Sequence, residues 1–527
     1  MKIKNILIAV TAGLFALTSC ETTDLDLVDN PNALNPSQAD ATFFLNSVQI
    51  SFAGWVQGFS NRGAALTRIN QMAGRNYAQV YSPNNFDGSW TSAYQGMMED
   101  IRLMNLLADE SGLTIHKAMG QTMQAYVMVT LVDFFGDVPY SEALKGGEGN
   151  LAPIADSGES VYNAALALLD EAVAGFTAGG PAPASDFYYG GNAAKWAKAA
   201  NSIKKKIYYT LGNASGFNGV TDYIDEESED FQFQWGTKEV QPDSRHPWYR
   251  SSYTATGGGT YMSNWFMNLM LNGHGGKDPR MNYYFYRQTD AVPGTDTDPN
   301  EEVLECSLYT APTHYQANNE VYCGVGSGYW GRDHGNADGI PPDGFLRTLH
   351  GIYPAGGAFD DASYESKVNG DGNGGNGITP IILSSWMDFM DGMLNPSTAA
   401  AMLEAGATKS IKKADSQGGP ALDSDDVDAY VANILADYEA ADAAGKADIY
   451  AQQFWIAQWG GGIDAYNTYR KTGLPSNVQP NLEPSPGDFP LIMYYPSNYA
   501  STNSNVTQRT NLTERVFWNA GGPSNLK

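Results

Sequence analysis

What most constrains this chain is a change of periodicity partway along it. From about residue 37 to 212 apolar side chains recur every three or four positions; from 213 to 383 that recurrence gives way to Gly, Asn, Asp, Pro, Tyr and Trp; from 384 to 472 it returns. A repeat near 3.6 residues gathers apolar groups onto one face of a helix. In the segment 113–135 that face carries Ile115, Met119, Met123, Tyr126, Val127 and Leu131, and in 192–211 it carries Trp196, Ala199, Ala200, Ile203, Ile207 and Leu211. Later, Val427, Tyr430, Val431, Ile434, Leu435 and Tyr438 repeat the pattern. Such stripes are buried by packing on one another, so the expected fold class is mainly α, with stacked helical hairpins.

The turn-rich Asn30-Pro31-Asn32 and Asn35-Pro36-Ser37 precede a first helix expected over 37–58. Asp156 with Glu159 three residues on suggests the start of a helix reaching Phe176, and further helices are expected at 384–408 and 423–472. Trp90, Tyr94 and Trp196 sit at helical positions that face a core. The aperiodic stretch is too long for a plain connection, so residues 213–383 and the Pro- and Asn-rich 473–527 are expected to form an irregular, loop-rich half with short strands. The helical scaffold is then 37–212 with 384–472, and both halves belong to one domain over 37–527.

At 42% hydrophobic and 17% charged residues, most of the chain has the apolar material for sizeable cores, which excludes disorder for most of it. The 58 acidic against 31 basic residues give a formal charge of -27, which repels phosphate backbones; nucleic acid is excluded as a partner. At the N-terminus, Lys2 and Lys4 precede an apolar run from Ile6 to Leu17. That run is shorter than the roughly 20 residues needed to span a bilayer, so residues 1–19 are expected to be a lipoprotein signal peptide. Leu17-Thr18-Ser19-Cys20 resembles the bacterial lipobox, in which the cysteine thiol accepts diacylglycerol. Cys20 is therefore the expected lipidation site, and residues 20–36, opening Glu21-Thr22-Thr23-Asp24, the acidic tether. Cys306 and Cys323 cannot make a zinc site alone. In an exported chain they can form a disulfide, closing a loop whose constraint stabilises by about 3 kcal/mol; two reduced, buried thiols are the alternative.

Catalytic signatures are missing: no HExxH, GxSxG or P-loop occurs, and the six histidines lack metal-ligand spacing. Asn369-Gly370-Asp371-Gly372-Asn373-Gly374 imitates a calcium loop, but Pro380 stands where a bidentate Glu belongs. Neither a catalytic residue, a metal nor a cofactor is expected. Arg332 with Asp333 reads as a loop brace, and Asp278-Pro279-Arg280 as a helix-start and ion-pair device. Aromatics are more informative. A sugar ring offers C–H faces to Trp or Tyr and hydroxyls to Asn, Asp and Arg, so it is bound by aromatic planes beside polar loops. Three stretches fit, giving Tyr77, Tyr81, Asn84 and Asp87; Arg245, Trp248 and Tyr253; and Tyr329, Trp330 and Arg332 as candidate ligand residues.

In this order, several segments together resemble the SusD/RagB family of Bacteroidetes outer-membrane nutrient-binding lipoproteins, in its SusD-like branch. They are the lipobox at Cys20, Asp26 to Pro36, Trp90 to Asn105, Leu131-Val132-Asp133-Phe134-Phe135-Gly136-Asp137-Val138-Pro139-Tyr140, and Trp196 to Lys206. Further on come Asp243-Ser244-Arg245-His246-Pro247, Asp278-Pro279-Arg280, Gly331 to Asp343, Gly351 to Phe359, and Tyr469-Arg470-Lys471-Thr472-Gly473-Leu474-Pro475. The resemblance covers nearly all of the chain after Cys20. It implies tetratricopeptide-like helix pairs against an irregular ligand-facing half, a lipid-anchored position at the cell surface on the outer membrane, and no enzymatic activity. It also implies a SusC-like TonB-dependent transporter as partner. Joined to the aromatic stretches, the expected function is capture of oligosaccharides for that transporter; a peptide-capturing member of the same system and a glycoside hydrolase are the alternatives.

Overall fold

The computed structural model describes residues 40–254, 258–292, 346–366 and 372–527, and residues 310–336 apart from 312, 319, 323 and 327. The expected signal peptide, Cys20 with its tether, and the Cys306 and Cys323 pair lie outside the described residues. Eleven helices of at least eight residues stand among the described residues. They are α1 (Ala41–Leu66), α2 (Glu99–Ser111), α3 (Thr114–Phe135), α4 (Gly158–Ala178), α5 (Ala193–Leu211), α6 (Asn264–Asn272), α7 (Ser384–Leu394), α8 (Ala399–Asp415), α9 (Ser424–Ala440), α10 (Ala443–Ala457) and α11 (Ile463–Thr472). None is long and apolar enough to cross a membrane.

The fold is mainly α. Sequence-adjacent helices pack in tetratricopeptide-like pairs: α1 with α2, α3 with α4, α7 with α8, α9 with α10. Caps fix several starts. Asp40 accepts from the Thr42 amide at 2.8 Å, so α1 begins at Ala41, and its buried Leu45, Val48, Phe52, Val56 and Phe59 carry the stripe on to Leu66, past the expected end. One expectation is corrected at α4. Ser157, not Asp156, caps it, with Oγ accepting from the Ser160 amide at 3.2 Å. The Asp156 carboxylate instead accepts from the Tyr140 and Ser141 amides at 2.7 and 2.8 Å; burial disfavours its charge, but these hydrogen bonds outweigh burial and hold its pKa below the usual range. The helical stretch expected over 423–472 holds three helices, because Asp442 opens α10 and Gly460-Gly461-Gly462 separates it from α11. Likewise Asn395-Pro396 splits 384–408.

The two helical blocks close on each other. Helix α11 packs on α1 so tightly that a Cβ at Gly63 would meet the Gly462 carbonyl oxygen at 2.3 Å; any larger residue would force the helices apart. Beneath that contact lies a buried polar cluster. Lys206 of α5 pairs with Asp464 of α11, both side chains almost wholly enclosed. Asp133 of α3 accepts from Tyr162 of α4, from Asn467 of α11 at 2.7 Å and from the Trp518 indole at 3.1 Å. Arg470 donates to Asn467 and to the Leu491 carbonyl, each at 2.6 Å, and lies 3.8 Å from the Tyr466 ring centroid. Burial pushes the Asp133 carboxyl up, against the pull of Lys206.

The loop-rich half carries the short strands: β1 (Phe231–Gln234), β2 (Met262–Ser263), β3 (Phe285–Tyr286), β4 (Gly324–Val325), β5 (Tyr329–Arg332), β6 (Leu349–His350) and β7 (Ile378–Ile382). β1 pairs antiparallel with β7 and β3 with β6, while β5 lies between parallel β2 and antiparallel β4. This half is seated on the scaffold through Trp459, which is wholly buried. Phe266 and Tyr284 stack parallel to its indole at 5.3 and 5.6 Å, and Trp248 and Phe285 close on it at 4.9 and 5.0 Å.

Asp464→Ala leaves the Lys206 ammonium buried without its counter-charge and should cost about 3–5 kcal/mol in denaturant unfolding, whereas Lys206→Met with Asp464→Leu should recover most of that loss. A single change within about 0.5 kcal/mol of the parent would show that the pair does not close the scaffold.

Candidate ligand-binding site

Site geometry begins at β5. The central strand has both neighbours, and a Cβ at Gly331 would sit 2.5 Å from the Met262 carbonyl oxygen, so only glycine lets β2 lie this close. Alternation then sends Trp330 to one side. Its amide donates to Thr348 Oγ1 at 2.8 Å and its indole N–H to the Ala291 carbonyl at 2.9 Å. Trp330 is buried at the centre of a small apolar cluster separate from the main core, and Tyr261, Tyr322, Ala291 and Leu346 close over it while remaining partly exposed. The Arg332 and Arg347 guanidinium groups lie 4.2 and 4.1 Å from the Tyr261 ring centroid, and Tyr322 meets Tyr315 at 4.6 Å. Arg287, ion-paired with Asp360 at 2.6 Å, lies 4.9 Å from the Tyr329 ring centroid. The result is a patch of two partly exposed tyrosines on a rigid floor, flanked by fixed cations.

Most of the other expected ligand residues are placed differently. Trp248 is buried, stacked on His350 at 4.4 Å, with its indole N–H on Asn61 at 2.7 Å. Burial pushes His350 down to about 3, so a neutral imidazole faces that indole. Tyr253 is buried against Tyr249, donating to the His350 carbonyl and accepting from the Ala358 amide, each at 2.8 Å. Tyr77 is held by His334 at 2.9 Å and Arg68 at 3.1 Å, and burial together with Arg68 keeps His334 well below its usual pKa. Tyr81, Tyr329 and Trp330 are buried as well. The structure places these rings in internal packing, and in the irregular half Trp248, Tyr253, Tyr329 and Trp330 serve as core where long amphipathic helices are few. Arg245 is bound to Asp243 at 2.9 Å, Asp87 accepts from the Asn498 amide at 2.9 Å, and Asn84 is exposed on a short helical turn. The expected core positions Trp90, Tyr94 and Trp196 are buried.

The three stretches are linked but do not line one opening. Tyr77 meets His334, two residues beyond Arg332, and its ring borders a cavity of about 500 Å³ with Asn481, Asp488, Phe489, Arg515 and Lys527. A smaller polar pocket of about 300 Å³ lies between α6 and α9, where His274 and Asp437 approach to 3.4 Å beside Asn268 and Asn272. Sequence reasoning overlooked Tyr261, Tyr322 and Arg347. Their signal is position: Tyr261 follows Gly258-Gly259-Thr260, and Tyr322 stands two residues before Gly324, places where a strand edge meets a loop. Among the described residues no group of three His, Cys, Asp or Glu could hold a metal ion.

Trp330→Ala should cost about 3–5 kcal/mol in denaturant unfolding because it empties the cluster, whereas Tyr322→Ala, at the surface, should cost less than about 1.5 kcal/mol. Equal losses would mean that Tyr322 is as much core as Trp330.

The family model described as "Starch-binding associating with outer membrane" matches residues 31–302, just over half of the chain. No curated protein matches the sequence. Among solved structures, one described as a chitin-binding protein shares 18% identity at a TM-score of 0.65, covering 91% of this chain and 100% of its own. A chitin-binding SusD homologue from Flavobacterium johnsoniae shares 18% at 0.61, with 92% and 99% covered. A SusD/RagB family protein from Bacteroides thetaiotaomicron shares 17% at 0.61, with 92% and 100% covered. At these identities the likeness establishes the fold.

Proposed function

The chain belongs to the SusD-like family of starch-binding proteins that associate with the outer membrane, and from that premise we propose that it is a non-enzymatic cell-surface receptor for oligosaccharides. The observation that carries this reading is the Tyr261 and Tyr322 patch over Trp330. Tyr322, partly exposed, offers a ring for the C–H side of a sugar, while Tyr261 beside it is held against the buried Arg332 and Arg347 guanidinium groups. Rigid rings lose little conformational freedom on binding, so a shallow patch suffices for reversible, micromolar capture, about -8 kcal/mol. Chitin-binding relatives of the same fold support a neutral glycan as the ligand class. A formal charge of -27 suits an uncharged ligand better than a polyanionic one.

In this reading Cys20 carries the lipid, the acidic tether spaces the receptor from the outer membrane, and a TonB-dependent transporter of the SusC kind receives the glycan. Capture raises the ligand's local concentration at the pore, and modest affinity lets it leave in that direction. No bond in the glycan is broken.

Calorimetry of the protein against starch and chitin oligosaccharides and against peptides, with product analysis of each mixture, tests the reading. A glycan should bind in the micromolar range and be recovered intact, and Tyr322→Ala should weaken it roughly tenfold, about 1.4 kcal/mol. Peptide binding without glycan binding, or newly formed reducing ends, would overturn it.

A further inference from the structure

A third opening lies on the helical scaffold, where the ends of α5, α7 and α11 meet α9 and α10. It is a cavity of about 560 Å³, within the roughly 300–1,000 Å³ that small-molecule sites occupy. Its walls are largely apolar, built by Leu394, Tyr438, Tyr450 and Leu474 among others, and among the described residues its only charged lining residues are Lys446 and Lys471. In a chain with 58 acidic and 31 basic residues, a cavity whose described lining carries two lysines and no acidic residue is locally unusual in charge.

Lys471 is the informative one. Its Nζ donates to the Tyr209 carbonyl at 3.1 Å and the Thr210 carbonyl at 2.8 Å, and among the described residues no carboxylate pairs with it. An ammonium has three protons, so one remains for a ligand. Burial pushes its pKa down to about 8, the signature of a cation whose charge is under-compensated. Lys446 is already spoken for by Glu439 at 2.8 Å and lies 4.8 Å from the Tyr438 ring centroid. A cation would be repelled here. An uncharged apolar molecule would leave Lys471 as it is. The complement is an anion with an apolar body.

We propose that this cavity binds a medium-chain fatty-acid anion, its carboxylate on Lys471 and its chain against Leu394, Tyr438 and Tyr450. The site is independent of the aromatic patch and does not rest on the glycan reading.

Calorimetric titration of the full chain with sodium octanoate, and in parallel with 1-octanol, tests this. Saturable one-to-one binding of octanoate is expected, with octanol weaker by at least roughly tenfold and Lys471→Met weaker by a similar factor. Because Lys471 also holds the end of α5, Ala447→Trp provides a second variant that fills the cavity from α10. It should abolish octanoate binding with an unchanged melting temperature. No saturable octanoate binding, equal affinity for octanol, or octanoate affinity unaltered in both variants would overturn the proposal.

Discussion

The buried pairing of Lys206 with Asp464, beside Asp133 and Arg470, is the interaction on which the architecture depends. Helix pairs stacked in sequence order would form an open array. Here the last helix of the scaffold returns to the first, and the polar cluster ties α3, α4, α5 and α11 together with the C-terminal stretch. Buried charges are costly unless every one is answered, so such a cluster tolerates only one relative placement of these helices. The Gly63 and Gly462 contact adds a steric version of the same constraint.

That closure matters to the ligand face because the loop-rich half has little regular structure of its own. Its short strands pair two or three at a time, and its position is set by aromatic stacking on Trp459, which follows α10 directly. The chain of support runs from the ionic cluster through α10 and α11 to Trp459, then through Phe266 of α6 to β2 and β5, and so to Trp330. A receptor gains affinity from rings that are already in place, because less freedom is lost when a ligand arrives. In the proposed reading scaffold and patch act as one mechanical unit: packing below holds Tyr261 and Tyr322 in place before a ligand arrives.

Much of the scaffold was legible from residue spacing. Stripes such as Ile115 to Leu131 and Trp196 to Leu211 bury one face each, and periodicity reports that directly. Boundaries were less legible where short-range chemistry competes: Asp156 looks like a cap, yet its carboxylate serves a turn sixteen residues away. The irregular half was hardest to read. Clusters of Tyr, Trp, Asn and Arg announce an aromatic region, but whether a ring faces inward or outward depends on partners distant in sequence. Trp248 is hidden by His350 and Trp459, and Tyr77 by His334. Tyr261 and Tyr322 are left at the surface because the chain around them forms strand edges, a fact that no local pattern encodes.

The central claim, that a glycan rests on a preformed tyrosine patch and leaves unchanged, is tested most directly by hydrogen–deuterium exchange of the protein with and without saturating oligosaccharide, with the ligand's mass measured afterwards. The account predicts slowed exchange in residues 258–264 and 320–334, little change elsewhere, and a glycan of unaltered mass. Protection confined to the helical scaffold, or a shortened glycan, would contradict it.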